Sequence, residues 1–148
     1  MNPEALERLL TEVQKGTLPV KAAIGQLRTL PFEDLGFASV DHHRSLRQGF
    51  PEVIFCEGKT SAQIRAIAKA LLKHHRPLLA TRATRQVAMV IKRLDRRAVY
   101  HDEARIVSIR DPKRRLQGHI LVITAGTSDI PVAEEARVTA EVMGSRVE

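Results

Sequence analysis

Cysteine is nearly absent from this sequence: Cys56 stands alone, which excludes an internal disulfide, a CxxC metal pair and a CxxC redox pair. It lies in the apolar run Val53-Ile54-Phe55-Cys56, where a thiol usually serves as a small buried hydrophobe rather than a nucleophile. Aromatic residues are also scarce. Phe32, Phe37, Phe50, Phe55 and Tyr100 are the five present, and they are not interleaved with basic residues as a base-stacking surface requires, so nucleic acid is not the expected partner. No apolar run approaches the roughly 18 residues of a membrane span, and 43% apolar with 28% charged residues is a globular composition. The start Met1-Asn2-Pro3-Glu4 lacks the basic and apolar segments of a secretory leader, so the expected location is the cytoplasm, with no membrane partner.

Positive charge, by contrast, is in surplus. Twenty-four Lys and Arg oppose 17 Asp and Glu, a net charge of +7 that favours anionic partners such as nucleotides. Part of the surplus falls in Lys92-Arg93-Leu94-Asp95-Arg96-Arg97 and Lys113-Arg114-Arg115, which read as solvated runs at a helix end and in a turn.

Periodicity places two helices first. Leu6, Leu9, Leu10 and Val13 form one stripe with Pro3 in the first turn and Gly16 after the last; Val20, Ala23, Ile24 and Leu27 form the inward stripe of a second helix running to about Leu30, before Pro31. Together they predict a helical hairpin. A strand is expected over residues 52–56, then a helix opened by a Thr60/Gln63 capping box. Further strands are expected at 78–81, 98–101 and 105–110, a helix at 84–94, and a linker at 111–118. His119-Ile120-Leu121-Val122-Ile123-Thr124 predicts a strand buried on both faces of a parallel sheet, and residues 131–143 a helix ended by Gly144. The fold class is α/β. Residues 1–115 are expected to form an N-terminal α/β domain preceded by the helical hairpin, and residues 116–148 the first βα unit of a second domain.

Candidate binding residues gather at the joins. Thr124-Ala125-Gly126-Thr127-Ser128-Asp129 lies between a strand's carboxyl end and a helix, where α/β proteins hold ligands. Gly126 permits close backbone approach, Thr127 and Ser128 supply hydroxyls, and free amides favour phosphate. Asp129 would repel phosphate, so it either caps the helix or accepts from ribose hydroxyls. Arg44 and Arg47 suit bidentate grip of an anion, or else join Asp41, Glu52 and Glu57 in a surface ion-pair network. Gly58-Lys59-Thr60 is not a P-loop, because Val53 stands where the first glycine belongs. Lys59 remains a point-charge contact for phosphate or carboxylate, Arg82 sits at another strand's carboxyl end, and Thr81 beside it is a contact or a helix cap. Asp41 and His43 form a base with its orienter, or an oriented structural histidine. His42 and His43, being adjacent, cannot easily share a metal, and no metal site is expected; His74 and His75 read as structural residues at a helix end.

Residues 41–53, Asp41-His42-His43-Arg44-Ser45-Leu46-Arg47-Gln48-Gly49-Phe50-Pro51-Glu52-Val53, with Gly58-Lys59, Leu79-Ala80-Thr81-Arg82 and residues 124–136 in that order, resemble the LarB family. The resemblance implies an enzyme of nickel-pincer cofactor synthesis that carboxylates the pyridinium ring of nicotinic acid adenine dinucleotide and cleaves its phosphoanhydride, releasing AMP. It implies a second domain similar to the aminoimidazole ribonucleotide carboxylase PurE, flavodoxin-like with a parallel sheet, of which residues 116–148 are the beginning. A pyridinium ring is an electrophile and must gain electron density from an added nucleophile before it can attack carbon dioxide. The family's cysteine nucleophile lies in a later part of that domain, so the catalytic residue is not among these 148 and the chain alone is expected to lack carboxylase activity. By the same resemblance Gly126, Thr127, Ser128 and Asp129 form a nucleotide cradle, while Asp41, His43, Arg44, Arg47, Lys59, Thr81 and Arg82 bind the dinucleotide or its carboxylates. Magnesium and carbon dioxide or bicarbonate are implied, with no tightly bound cofactor. The family forms homo-oligomers with shared sites; for one βα unit of that domain, assembly is left open. Two other readings are a PurE-type purine-pathway carboxylase and a non-catalytic basic nucleotide- or nucleic-acid-binding module.

Overall fold

The computed structural model describes residues 3–27, 32–50, 52–74, 77–112 and 114–148. Asn2, the expected helix end at Leu30 and Pro31, Pro51, His75, Lys113 and the side chain of His74 lie outside the described residues. Among the described residues no helix is long and apolar enough to cross a membrane.

The expected hairpin is present as α1 (Pro3–Gln14) and α2 (Val20–Leu27), with Gly16 in the left-handed conformation between them. Its apolar stripes are only partly covered. Leu9 and Ala23 are buried, but Leu10, Val20 and Ile24, expected to point inward, are more than half exposed. Two short helices share one seam, and residues beside that seam stay in solvent unless a third element covers them.

A second hairpin follows, which periodicity did not signal: β1 (Phe32–Asp34) and β2 (Ser39–Asp41), antiparallel, with Gly36 at φ 82 in the turn. The Asp34 carboxylate accepts the Gly36 amide at 2.8 Å, which stabilises the reversal. The five-residue α3 (Arg44–Gln48) ends at Gly49, whose left-handed φ of 70 closes the last turn onto the Ser45 carbonyl.

The central sheet contains β3 (Ile54–Phe55), β4 (Leu78–Thr81), β5 (Val99–His101) and β6 (Ile106–Ile109), in the order β3-β4-β6-β5. β3 and β4 are parallel, while β6 runs antiparallel to both β4 and β5. α4 (Ser61–His74) makes the crossover between the parallel strands, and α5 (Arg85–Leu94) follows β4. The Thr60/Gln63 box forms as expected: the Thr60 amide donates to Gln63 Oε1 at 2.9 Å and the Gln63 amide to Thr60 Oγ1 at 3.3 Å.

Alternation along the two middle strands fixes what lies on each face. Leu78, Ala80, Val107 and Ile109 join one core with Ile64, Leu71, Val87 and Ile91 of α4 and α5. Leu79 and Ile106 face the other way, into a cluster with Phe50, Ala104, Val138 and Val142. The last two belong to α6 (Ile130–Val142), so the sheet is covered on both faces and the molecule is an α/β fold.

The run at 119–124 departs most from expectation. Instead of a doubly buried strand, only β7 (His119–Ile120) forms; it pairs in parallel with β8 (Arg146–Val147), while Leu121 is 67% and Ile123 82% exposed. The physical reason is the partner: a two-residue strand satisfies few backbone groups, and both residues of β7 stay exposed beside it. The described residues of the linker, 111–112 and 114–118, form no helix or strand, yet Arg114 is no free surface charge. Its guanidinium lies 5.8 Å from the Phe50 ring, donates to the Gly49 carbonyl at 3.4 Å and passes over Gly144.

Candidate functional site

Because β3 and β4 are parallel, their carboxyl ends share one edge, and the antiparallel β6 begins at that edge. Lys59, Thr81 and Arg82 are thereby brought together. The Cys56 amide donates to the Thr81 carbonyl at 3.0 Å, tying the two strand ends. Lys59 Nζ folds back to donate to the Phe55 carbonyl at 2.8 Å and sits 5.8 Å from the Phe55 ring. No carboxylate among the described residues pairs with it. Thr81 is the last residue of β4 rather than a helix cap; Thr84 fills that role, its hydroxyl accepting the Val87 amide at 3.3 Å. Arg82 has a left-handed φ of 53, a conformation that costs a non-glycine residue about 1–3 kcal/mol. Its guanidinium meets Glu135 of α6 at 3.5 Å.

The loop at 126–129 is related to this edge through α6. Glu135 meets Arg82 at the carboxyl end of β4, whereas Glu141 pairs with Arg110, which follows β6 at the opposite edge. α6 therefore runs with its first turn toward the Lys59/Arg82 edge. Thr127, Ser128 and Asp129 form a single 3-10 turn that is exposed to solvent. Asp129 makes no side-chain capping bond; it accepts from Ser128 Oγ at 3.4 Å. Gly126 has φ −120, which any residue adopts, so its value here would be close approach of a ligand rather than backbone freedom.

Asp41, His43, Arg44 and Arg47 lie elsewhere. The Asp41 amide donates to Glu52 Oε2 at 2.8 Å, and Glu52 precedes β3, so this cluster borders the amino end of the sheet strands. Arg47 Nη2 meets Asp41 Oδ2 at 2.6 Å and Nη1 lies 3.2 Å from His43 Nδ1, while Asp41 Oδ1 accepts the His43 amide at 2.9 Å. Burial pushes the Asp41 pKa up, but the Arg47 guanidinium and the His43 and Arg44 amides outweigh it and hold the carboxyl below its ordinary value. Of the ion-pair network open in the sequence, the Arg47–Asp41 pair forms; Glu52 enters it only as acceptor of the Asp41 amide, and Glu57 takes no part. Arg44 is half-buried, with no described carboxylate pairing with it. The adjacent His42 is buried, its Nε2 2.9 Å from Glu33 Oε2, and Lys73 pairs with the same carboxylate at 3.2 Å.

Cys56 is buried, and burial, against the pull of Lys59, pushes its thiol up to about 11. It is a core hydrophobe with almost no thiolate at neutral pH. Among the described residues no three His, Cys, Asp or Glu side chains converge as a metal site.

Two features went unread in the sequence. Arg105, in the turn before β6, has a left-handed φ of 52, and its carbonyl accepts the Ala83 amide at 2.7 Å. Only the β4–β6 register brings it to the edge that carries Arg82. On the α6 face, His101 Nε2 lies 3.0 Å from Ser108 Oγ, beneath a network in which Arg137 pairs with Glu134 at 2.8 Å and with Glu141 at 2.9 Å. Ser108 is buried, which suits a structural hydroxyl rather than a nucleophile.

Comparison with known proteins matches residues 32–112 to the LarB/PurE-like N-terminal domain. An uncharacterized protein of Methanocaldococcus jannaschii, MJ0165, is 28% identical over 147 residues, an alignment covering 94% of this chain and 57% of that protein. The chain thus spans little more than half the length of that relative. The matched segment holds both hairpin strands β1 and β2, the whole central sheet and the Lys59/Arg82 edge, and by that match the chain belongs to the LarB family.

Proposed function

We propose that this chain is the substrate-gripping part of a LarB-type enzyme, which carboxylates the pyridinium ring of nicotinic acid adenine dinucleotide and hydrolyses its phosphoanhydride. The observation that supports this reading is the sheet edge at which Lys59, Thr81 and Arg82 from two parallel strands meet the end of the molecule toward which α6 points its first turn and residues 126–129. Cations at strand ends, hydroxyls and unpaired amides at a helix start suit the sugar-phosphate portion of a dinucleotide. Arg44 and the Asp41–Arg47–His43 network, at the other edge, do not reach the same phosphate; their place in this reading is to shape the surface on which the rest of the substrate or a carboxylate lies. Magnesium, which LarB chemistry implies, finds no ligand set of its own among the described residues.

The chain offers no nucleophile for the ring. Its single cysteine is buried and protonated, so electron density would have to come from a thiolate elsewhere in the enzyme. The expected division of labour is binding without turnover. A ligand at a hundred times its Kd stabilises by about 2.7 kcal/mol, which for a chain of this size raises Tm by roughly 5–10 °C. The test is therefore a thermal-shift titration with nicotinic acid adenine dinucleotide and aminoimidazole ribonucleotide, alongside incubation with the dinucleotide, bicarbonate and magnesium. Protection by the dinucleotide with no dicarboxylated product is expected. Protection by aminoimidazole ribonucleotide alone would move the chain to the purine pathway. Salt-sensitive binding of DNA or RNA, with neither nucleotide bound, would make it a basic binding module.

A further inference from the structure

Arg82 and Arg105 answer each other across the antiparallel pair β4–β6. The ladder pairs Leu78 with Ile109, Leu79 with Ser108 and Ala80 with Val107 and then breaks: the Arg105 carbonyl takes the amide of Ala83 instead of Arg82, so Arg82 and Ala83 together stand opposite Arg105, as in a bulge. The bond from the Ala83 amide to the Arg105 carbonyl, at 2.7 Å, fastens the two chain segments there. Among the described residues these two arginines are the non-glycine positions with left-handed backbone, φ 53 and 52. Opposed like charges on an antiparallel pair repel.

The nearby carboxylates do little to relieve that repulsion. Glu135 reaches Arg82 at 3.5 Å, longer than a charge-assisted hydrogen bond. Asp102, in the same turn as Arg105, is held by Arg85. No described carboxylate pairs with Arg105, which is exposed. Lys59, on the neighbouring strand end, rests on a backbone carbonyl. Arg82 and Arg105 are thus exposed, and Lys59 half-buried, in turns at the ends of three adjacent strands; Glu57 and Glu103 lie in the same turns without pairing with them, and Glu135 is the one described carboxylate within pairing distance of any of the three.

We propose that Arg82 and Arg105 form a two-guanidinium clamp for a phosphoanhydride, each arginine taking one of two linked phosphoryl groups, with Lys59 as an outlying point charge. The bond from the Ala83 amide to the Arg105 carbonyl holds the two turns side by side, so two exposed planar forks leave from neighbouring chain segments and can flank one gap. A diphosphate presents anionic oxygens toward both sides of such a gap, whereas a monocarboxylate presents one edge and satisfies one fork. The clamp deepens the dinucleotide reading above and rests on it only for the natural ligand.

The experiment is calorimetric titration of the full chain with inorganic pyrophosphate, inorganic phosphate and nicotinic acid adenine dinucleotide at fixed ionic strength, for wild type, Arg82→Gly, Arg105→Gly and Arg105→Lys. Glycine accepts a positive φ freely, so Arg105→Gly removes the guanidinium while leaving the turn intact, and its Tm should equal or exceed that of wild type. Pyrophosphate should bind at least tenfold tighter than phosphate, each glycine variant should lose at least tenfold, and Arg105→Lys should recover only part of that loss. Equal affinity for pyrophosphate and phosphate, or an Arg105→Gly variant that binds pyrophosphate like wild type, overturns the clamp. If pyrophosphate behaves as expected and the dinucleotide fails to bind, the clamp stands and the dinucleotide reading falls; if the dinucleotide binds and neither glycine variant weakens it, the reverse holds.

Discussion

Replacing Val138 with alanine tests whether α6 is an integral layer of the fold. Val138 is fully buried, in contact with the cluster of Phe50, Leu79, Ala104, Ile106 and Val142 that covers the second face of the sheet. The substitution removes two carbons, worth about 1.6 kcal/mol at roughly 0.8 kcal/mol per buried methylene, and the cavity left behind raises the cost to about 2–3 kcal/mol. For a chain of this size, that corresponds to a Tm lower by roughly 5–10 °C. The assay is a far-UV circular dichroism melt paired with urea unfolding, in which the midpoint should fall with the slope unchanged. Val132→Ala on the same helix is the control: Val132 is 68% exposed, and its variant should stay within about 0.5 kcal/mol of wild type. A Val138→Ala variant that melts like wild type, or whose loss appears as a separate minor transition, would show that α6 unfolds independently of the sheet and is no integral layer.

Three further outcomes follow from single sites. Gly144→Ala should destabilise the chain, because Gly144 holds φ 100 and an added Cβ would overlap the Arg114 guanidinium; Gly144→Ala with Arg114→Ala should recover only the steric part, and an unchanged Tm in the single variant would contradict the Arg114 placement. Iodoacetamide should label Cys56 at pH 8 at least a hundredfold more slowly than a free thiol, since a thiol pushed up to about 11 is thiolate in about one molecule in a thousand there; rapid labelling of the native chain would contradict its burial. His101 is held below its ordinary 6.5 by burial and by the Arg137 and Arg110 cations, against Glu141 and Glu134. The unfolded chain therefore takes up that proton first, and stability should decline as pH falls below 6.5, levelling off below the folded pKa. His101→Asn should flatten that decline in urea melts across pH 5 to 7, and an unaltered slope would show that His101 is not its source.

The parts of the fold legible in the sequence are those that neighbouring residues decide. The Thr60/Gln63 box, the Pro3 and Gly16 bounds of α1 and the β-rich runs of β3 to β6 each depend on side chains within about four positions. The β1–β2 hairpin and α3 escaped because three-residue strands and a five-residue helix are too short to display a period. Residues 119–124 carried a strong strand signal, yet an apolar run specifies burial only where partners exist on both sides, and β8 supplies two residues on one.

The candidate site divides in the same way. Local composition marked Lys59, Arg82 and residues 126–129 as phosphate-suited and Cys56 as a core thiol. The family resemblance grouped Asp41, His43, Arg44 and Arg47 with Lys59, Thr81 and Arg82, whereas β3 separates the two sets onto opposite edges of the sheet. Arg105 lies 23 positions after Arg82, and only the antiparallel register of β4 and β6 sets the two side by side. By itself the sequence determined the α/β class, the surplus of cations and the chemistry available at each turn. The tertiary structure decided which turns meet, because strand order and register are set by burial on two faces of a sheet, a property of residues far apart in the chain.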